Sequence, residues 1–146
     1  MDWKQLHLAL NHLPVIGLPL MVVLLFAGWC RKSQEVMRAA LWFMAVLSVM
    51  AILVKFTGDF AAADYPQKTD EVKALVTRHE QTGDQVTTAV FVLALVSALA
   101  IWLARGKREL KTWAVMLVLA LGVVTSALYA RCAHAGGQIS HPELRK

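Results

Sequence analysis

Charge is scarce in this sequence. Asp, Glu, Lys and Arg make up 17% of its 146 residues, while 58% are hydrophobic, a balance that excludes an ordinary soluble domain and points to a membrane protein. Cysteine is scarcer still. Cys30 and Cys132 are the only two; they fall at opposite ends of predicted helices, so a bilayer separates them, an internal disulfide is excluded, and each reads as a small interfacial hydrophobe. No acidic residue lies inside any long apolar run, which argues against a proton or ion pathway through the bilayer. Ser140 is the only serine in a segment predicted to be external, and it has no nucleophile-elbow context, so Ser/His/Asp catalysis fits poorly.

What the sequence has in abundance is long hydrophobic runs. Residues 13–29, 39–54, 89–104 and 112–130 are each close to the roughly 20 residues that cross ~30 Å of hydrocarbon, and backbone satisfaction in lipid makes them helices. The first run is not a cleaved signal, since a basic leader and a small-x-small site are both missing and "RKSQ" follows it. The FAGWC stretch does not suit lipid attachment, because Trp29 precedes the cysteine. Segments 31–38 and 105–111 hold seven basic residues (Arg31, Lys32, Arg38, Arg105, Lys107, Arg108 and Lys111) and only two acidic ones. The density of Lys and Arg in short loops marks these as cytoplasmic. The net charge of +5 thus lies on the inner loops and is a topology signal, with no nucleic-acid partner implied. The expected fold is all-α: a polytopic membrane protein forming one domain over residues 1–146, an up-down-up-down four-transmembrane-helix bundle with both termini periplasmic, in the bacterial inner membrane.

Outside the runs, Asp2 can cap a short helix through DWKQLHLALNH. Asn11 then offers a fresh cap that would leave Pro14 in the first turn of helix 1, where its missing amide costs nothing. The one long loop holds helix-start chemistry, Thr69-Asp70-Glu71 after Tyr65-Pro66. Val72, Leu75, Val76 and His79 follow at i, i+3, i+4 and i+7, predicting an amphipathic helix over about 70–82 that runs on into helix 3. Ser48, Ser97, Thr125 and Ser126 sit inside runs and are expected to bond backbone carbonyls or neighbouring helices. No internal repeat is visible.

All five histidines fall in the external layer once the topology is drawn. His7 reads as an ordinary interfacial histidine. His12 at a helix start, His79 on an apolar face, and His134 and His141 around Gly136-Gly137 form the candidate site. The two glycines would give clearance, either within a continuing helix 4 or at its end. Haem ligation needs imidazoles on opposite sides of the macrocycle, small residues for clearance and cations such as Arg78 and Arg131 for the propionates. A bare copper or zinc ion would instead want three or four ligands around one point.

The stretches "NHLPVIGLPL" (11–20), "RHEQTG" (78–83) and "GGQISHPE" (136–143) resemble a bacterial family of small four-helix membrane proteins, the domain of unknown function 2231 group. The resemblance carries His12, His79 and His141 over as the family's histidines, and the joining of some relatives to Rieske-type iron–sulfur domains implies redox work. Leu13 stands where Phe is usual, and the HPE ending departs from the usual tail.

The function expected is that of a membrane-bound b-type haem electron-transfer protein with one or two haems near the periplasmic face. It would be a redox subunit rather than a stand-alone enzyme, linking quinol or a membrane partner to a periplasmic cytochrome or iron–sulfur partner. Membrane lipids surround it, and an oligomer is compatible with the sequence. The alternatives are a membrane protein binding copper, zinc or iron directly, and a non-redox scaffold subunit.

Overall fold

A computed structural model describes residues 2–63, 69–106 and 108–145. Four long helices account for nearly all of them: α1 (Trp3–Cys30), α2 (Gln34–Ala63), α3 (Asp70–Leu103) and α4 (Thr112–Ser140), followed by a 3-10 turn at Pro142–Leu144. All four are long and apolar enough to cross a membrane. Tyr65, Pro66 and Lys107, used above for the helix start and the charge asymmetry, lie outside the described residues.

α1 packs against α2 and α4, and α3 packs against the same two, with the α1–α2 contact the most extensive and the α1–α4 contact the least. Leu18, Leu25, Leu41, Met44, Leu93, Val90, Val115 and Val118 fill the interior. Trp42, Phe43, Phe56, Phe91 and Val123 point outward. An apolar exterior around an apolar interior is the arrangement a lipid solvent demands.

One end of the bundle is tied by polar groups. Arg38 donates to the carbonyls of Ala104 and Arg108, both at 2.6 Å, and the Gln34 side-chain oxygen accepts from the Leu110 amide at 2.9 Å. The start of α2 thus clamps the α3–α4 connection, which turns through Gly106 at φ 72°, a left-handed conformation that glycine adopts without strain. Arg38 and Arg108, counted above for topology, also build this clamp.

α1 corrects one expectation. The helix runs unbroken from its Asp2 cap, whose carboxylate accepts from the Lys4 amide, and contains both Pro14 and Pro19; Asn11 starts nothing. Pro14 forfeits one backbone bond, but it is buried, and the turns before it hold Trp3, Leu6 and Leu10 half-buried against the bundle. Burial of that apolar face outweighs one lost bond. α3 behaves as expected: Thr69 accepts from the Val72 amide, and the amphipathic start continues without a break into the apolar span. Ser48, Thr125 and Ser126 each donate to the carbonyl four residues back, whereas the Ser97 hydroxyl has no partner.

A repeat absent from the letters is present in the positions. Pro14, Leu18, Leu25 and Gly28 of α1 are buried, and so are Val86, Val90, Ser97 and Ala100 of α3, each 72 residues later. In α2 and α4 the spacing is 78. Met37, Ala40, Met44, Ala51 and Thr57 are buried, as are Val115, Val118, Gly122, Tyr129 and Ala135. The starts of α2 and α4, Gln34 and Thr112, keep that spacing, as do the Ser48–Met44 and Ser126–Gly122 hydrogen bonds. Two helical hairpins, α1–α2 and α3–α4, therefore play equivalent parts.

Candidate functional site

The end of the bundle opposite the arginine clamp brings together the start of α1, the end of α2, the start of α3 and the end of α4. Two imidazoles meet there. His7 of α1 and His79 of α3 have ring centroids 6.2 Å apart and planes inclined at 79°. His7 lies on the same helical face as Pro14, Leu18 and Leu25, about two turns before the first of them, and His79 lies likewise before Val86, Val90 and Ser97. The repeat that orders the core delivers one histidine from each hairpin.

Each ring is held in the same way by the second helix of its own hairpin. His7 Nδ1 is 3.1 Å from the Val54 carbonyl of α2, and His79 Nδ1 is 3.1 Å from the Cys132 carbonyl of α4. A carbonyl only accepts, so both Nδ1 atoms donate. The proton is then on Nδ1, and Nε2 carries the free lone pair. Neither Nε2 has a hydrogen-bond partner among the described residues.

Four residues beyond each accepting carbonyl stands a glycine on which the imidazole rests. A Cβ on Gly58 would come within 2.9 Å of His7 Cε1, and one on Gly136 within 3.0 Å of His79 Cε1. At these two positions close approach requires glycine.

With Nδ1 donating to a carbonyl, each ring offers its Nε2 lone pair. Around them, Trp3 stacks on Phe60 with centroids 4.7 Å apart, and Lys55 bridges α2 to α3 through Asp84 at 3.2 Å. Arg145 folds the tail back with bonds to the Gln138 and Ile139 carbonyls.

Of the four histidines singled out from sequence, His79 is the one within this pair. His12 is exposed and bonded to the Leu8 carbonyl of its own helix at 2.6 Å. His134 is exposed on α4. α4 runs through Gly136 and Gly137 and ends at Ser140, leaving His141 beyond it, exposed and 3.1 Å from the Glu143 carboxylate. Gly136 gives clearance to the His79 ring, while Gly137 lies beside Leu144. Arg78 and Arg131 are both exposed.

His7, read from sequence as an ordinary interfacial residue, is the partner that His79 meets. The signal for it was present. His7, Pro14, Leu18 and Leu25 fall at i, i+7, i+11 and i+18, a single helical face that His12 does not share.

Among the described residues no group of three or more His, Cys, Asp and Glu side chains could hold a metal ion. A family model described as "Predicted membrane protein (DUF2231)" matches residues 4–142. No curated protein and no solved structure matches the chain.

Proposed function

Since the chain belongs to the DUF2231 family of predicted membrane proteins, we propose that it is a membrane-bound b-type haem electron-transfer protein in which His7 and His79 would hold one haem. The observation that carries this reading is the imidazole pair: His7 and His79 meet with ring centroids 6.2 Å apart, each with Nδ1 engaged and Nε2 left to bind a metal. Ligating histidines characteristically donate their other N–H to a carbonyl or carboxylate, fixing tautomer and ring direction, as His7 and His79 do to Val54 and Cys132.

Donor count favours haem over a bare ion. Two imidazoles fall short of the three or four ligands that zinc or copper takes from protein, whereas a porphyrin supplies the four equatorial nitrogens itself. The two equivalent hairpins also suit a group with two equivalent faces. Bound haem would supply one-electron redox chemistry. The chain's own part is to present two neutral imidazoles, hold them by carbonyls, and clear space with Gly58 and Gly136. Exposed Arg78 and Arg131 offer cations to the propionates.

The topology proposed with this site alternates helix directions, with both termini and the histidine pair on the periplasmic side of a bacterial inner membrane and the arginine clamp inside. Electrons would pass between quinol or a membrane partner and a periplasmic cytochrome or iron–sulfur protein. No second histidine pair lies at the clamp end among the described residues, so this chain would exchange electrons at one face.

The test is optical. Protein expressed with ample haem and purified in detergent should show a Soret band and a reduced-state spectrum of bis-imidazole haem. His7→Ala and His79→Ala should each abolish or shift it, while His12→Ala, His134→Ala and His141→Ala leave it in place. A colourless wild-type protein, or a band insensitive to His7 and His79, overturns the assignment.

A further inference from the structure

The two half-sites match in their carbonyls and glycines but differ in one polar detail at each Nδ1. On the α1–α2 side, the residue giving the carbonyl is Val54, whose side chain has no polar atom. The nearby hydroxyl is that of Thr57, 3.4 Å from His7 Nδ1, and it donates to the Val54 carbonyl at 2.9 Å. With its proton on the Val54 carbonyl, the Thr57 oxygen turns its lone pairs toward the His7 N–H as a second acceptor. On the α3–α4 side, the position matching Thr57 is Ala135, which has no hydroxyl. The residue giving the carbonyl is Cys132, whose Sγ lies 3.6 Å from His79 Nδ1 and 4.0 Å from the His79 carbonyl.

The His79 carbonyl accepts from the Thr82 hydroxyl at 2.9 Å, and the thiol beside it can share that carbonyl and turn its lone pairs toward the Nδ1 proton. Each N–H then has a carbonyl and one further acceptor, a hydroxyl oxygen at His7 and a thiol sulfur at His79. A more fully accepted Nδ1 proton makes the opposite nitrogen a stronger electron donor, because charge withdrawn along N–H is returned to the ring.

We infer that Cys132 is a positioning residue that strengthens His79 as a donor through its sulfur at Nδ1 and so holds the midpoint potential of the bound group low. This rests on the proposed haem and goes beyond it by assigning the setting of its potential. Hydrogen bonds to the far nitrogen of a ligating histidine tune potentials generally. The covalent structure of Cys132 is unchanged throughout; it acts by accepting a hydrogen bond.

The experiment is a spectroelectrochemical titration of the full-length, haem-loaded protein in detergent, comparing wild type with Cys132→Ala and Cys132→Ser. Cys132→Ala removes one acceptor and should raise the midpoint. A shift in the reduction equilibrium of about threefold, or roughly 30 mV for one electron, is expected. Cys132→Ser places a stronger acceptor at the same atom and should bring the midpoint back to or below the wild-type value. Retention of the Soret band in each variant shows that the site is intact.

Midpoints that do not move, or that move the same way in the alanine and serine variants, overturn the role of Cys132 while leaving the haem standing. A wild-type protein that takes up no haem overturns the haem reading itself, and the role of Cys132 with it.

Discussion

The two hairpins share a plan and almost none of their residues. At equivalent core positions α1 has Pro14, Leu18 and Leu25 where α3 has Val86, Val90 and Ser97, and α2 has Met44 and Ala51 where α4 has Gly122 and Tyr129. Side-chain size is exchanged freely between halves, because an apolar interior is satisfied by total volume and pattern. At the two histidines and the glycines beneath them the exchange stops. His7 matches His79, Gly58 matches Gly136, and each ring finds a backbone carbonyl four residues before its glycine. Where packing alone is needed the halves have diverged in residue type; where an imidazole must be aimed they coincide.

That contrast is most severely tested at the histidines. His7→Ala and His79→Ala remove equivalent ligands and should weaken haem retention to a similar degree. Each loss should exceed the ~10–100-fold that second-shell changes cost, measured as the fraction of haem kept through gel filtration. A large effect at one ring and none at the other would break the equivalence.

The glycines come next. Gly58→Ala and Gly136→Ala push a methyl group to within 2.9 and 3.0 Å of the imidazoles. Each ring must swing off its carbonyl, at a cost of about 1–3 kcal/mol, seen as a lower thermal midpoint and a perturbed haem spectrum. Gly137→Ala is the internal control. Its Cβ would meet Leu144 at 3.5 Å, an ordinary contact, and the substitution should be neutral or stabilise α4 by up to ~1 kcal/mol.

The smallest effect belongs to a feature that only one seam carries. Lys55 links α2 to α3 through Asp84, while the matching position on α4 is Ala133. Lys55 and Asp84 are partly and largely exposed, so Lys55→Ala should cost at most about 1 kcal/mol and leave the haem spectrum unchanged. A change in the spectrum would mean that the α2–α3 seam bears on the site more closely than its mate.

Much of the fold was legible in the letters, and the pairing was not. Four apolar runs defined four helices, Thr69-Asp70-Glu71 marked the start of α3, and the hydroxyls of Ser48, Thr125 and Ser126 turned back on their own helices as buried hydroxyls do. The unbroken course of α1 was hidden because Pro14 signals a boundary locally, whereas the burial that overrides it comes from α2 and α4. His7 was hidden for a related reason. Its carbonyl is on Val54, 47 residues away, and its neighbour His79 is 72 residues away. The motif around His12 drew notice through Pro14, but His12 is turned to its own helix and the exterior. The facial spacing of His7 with Pro14, Leu18 and Leu25, read beside the same spacing of His79 with Val86, Val90 and Ser97, singles out His7.

The central claim is that His7 and His79 would hold one haem. Low-temperature electron paramagnetic resonance of the oxidised full-length protein, with the haem-to-chain ratio determined on the same sample, tests it most directly. The account predicts one haem per chain and a six-coordinate low-spin signal from two imidazoles with steeply inclined planes, converted to a high-spin signal or lost in His7→Ala and in His79→Ala alike. A haem-free protein, or a low-spin signal that persists when both histidines are replaced, would contradict it.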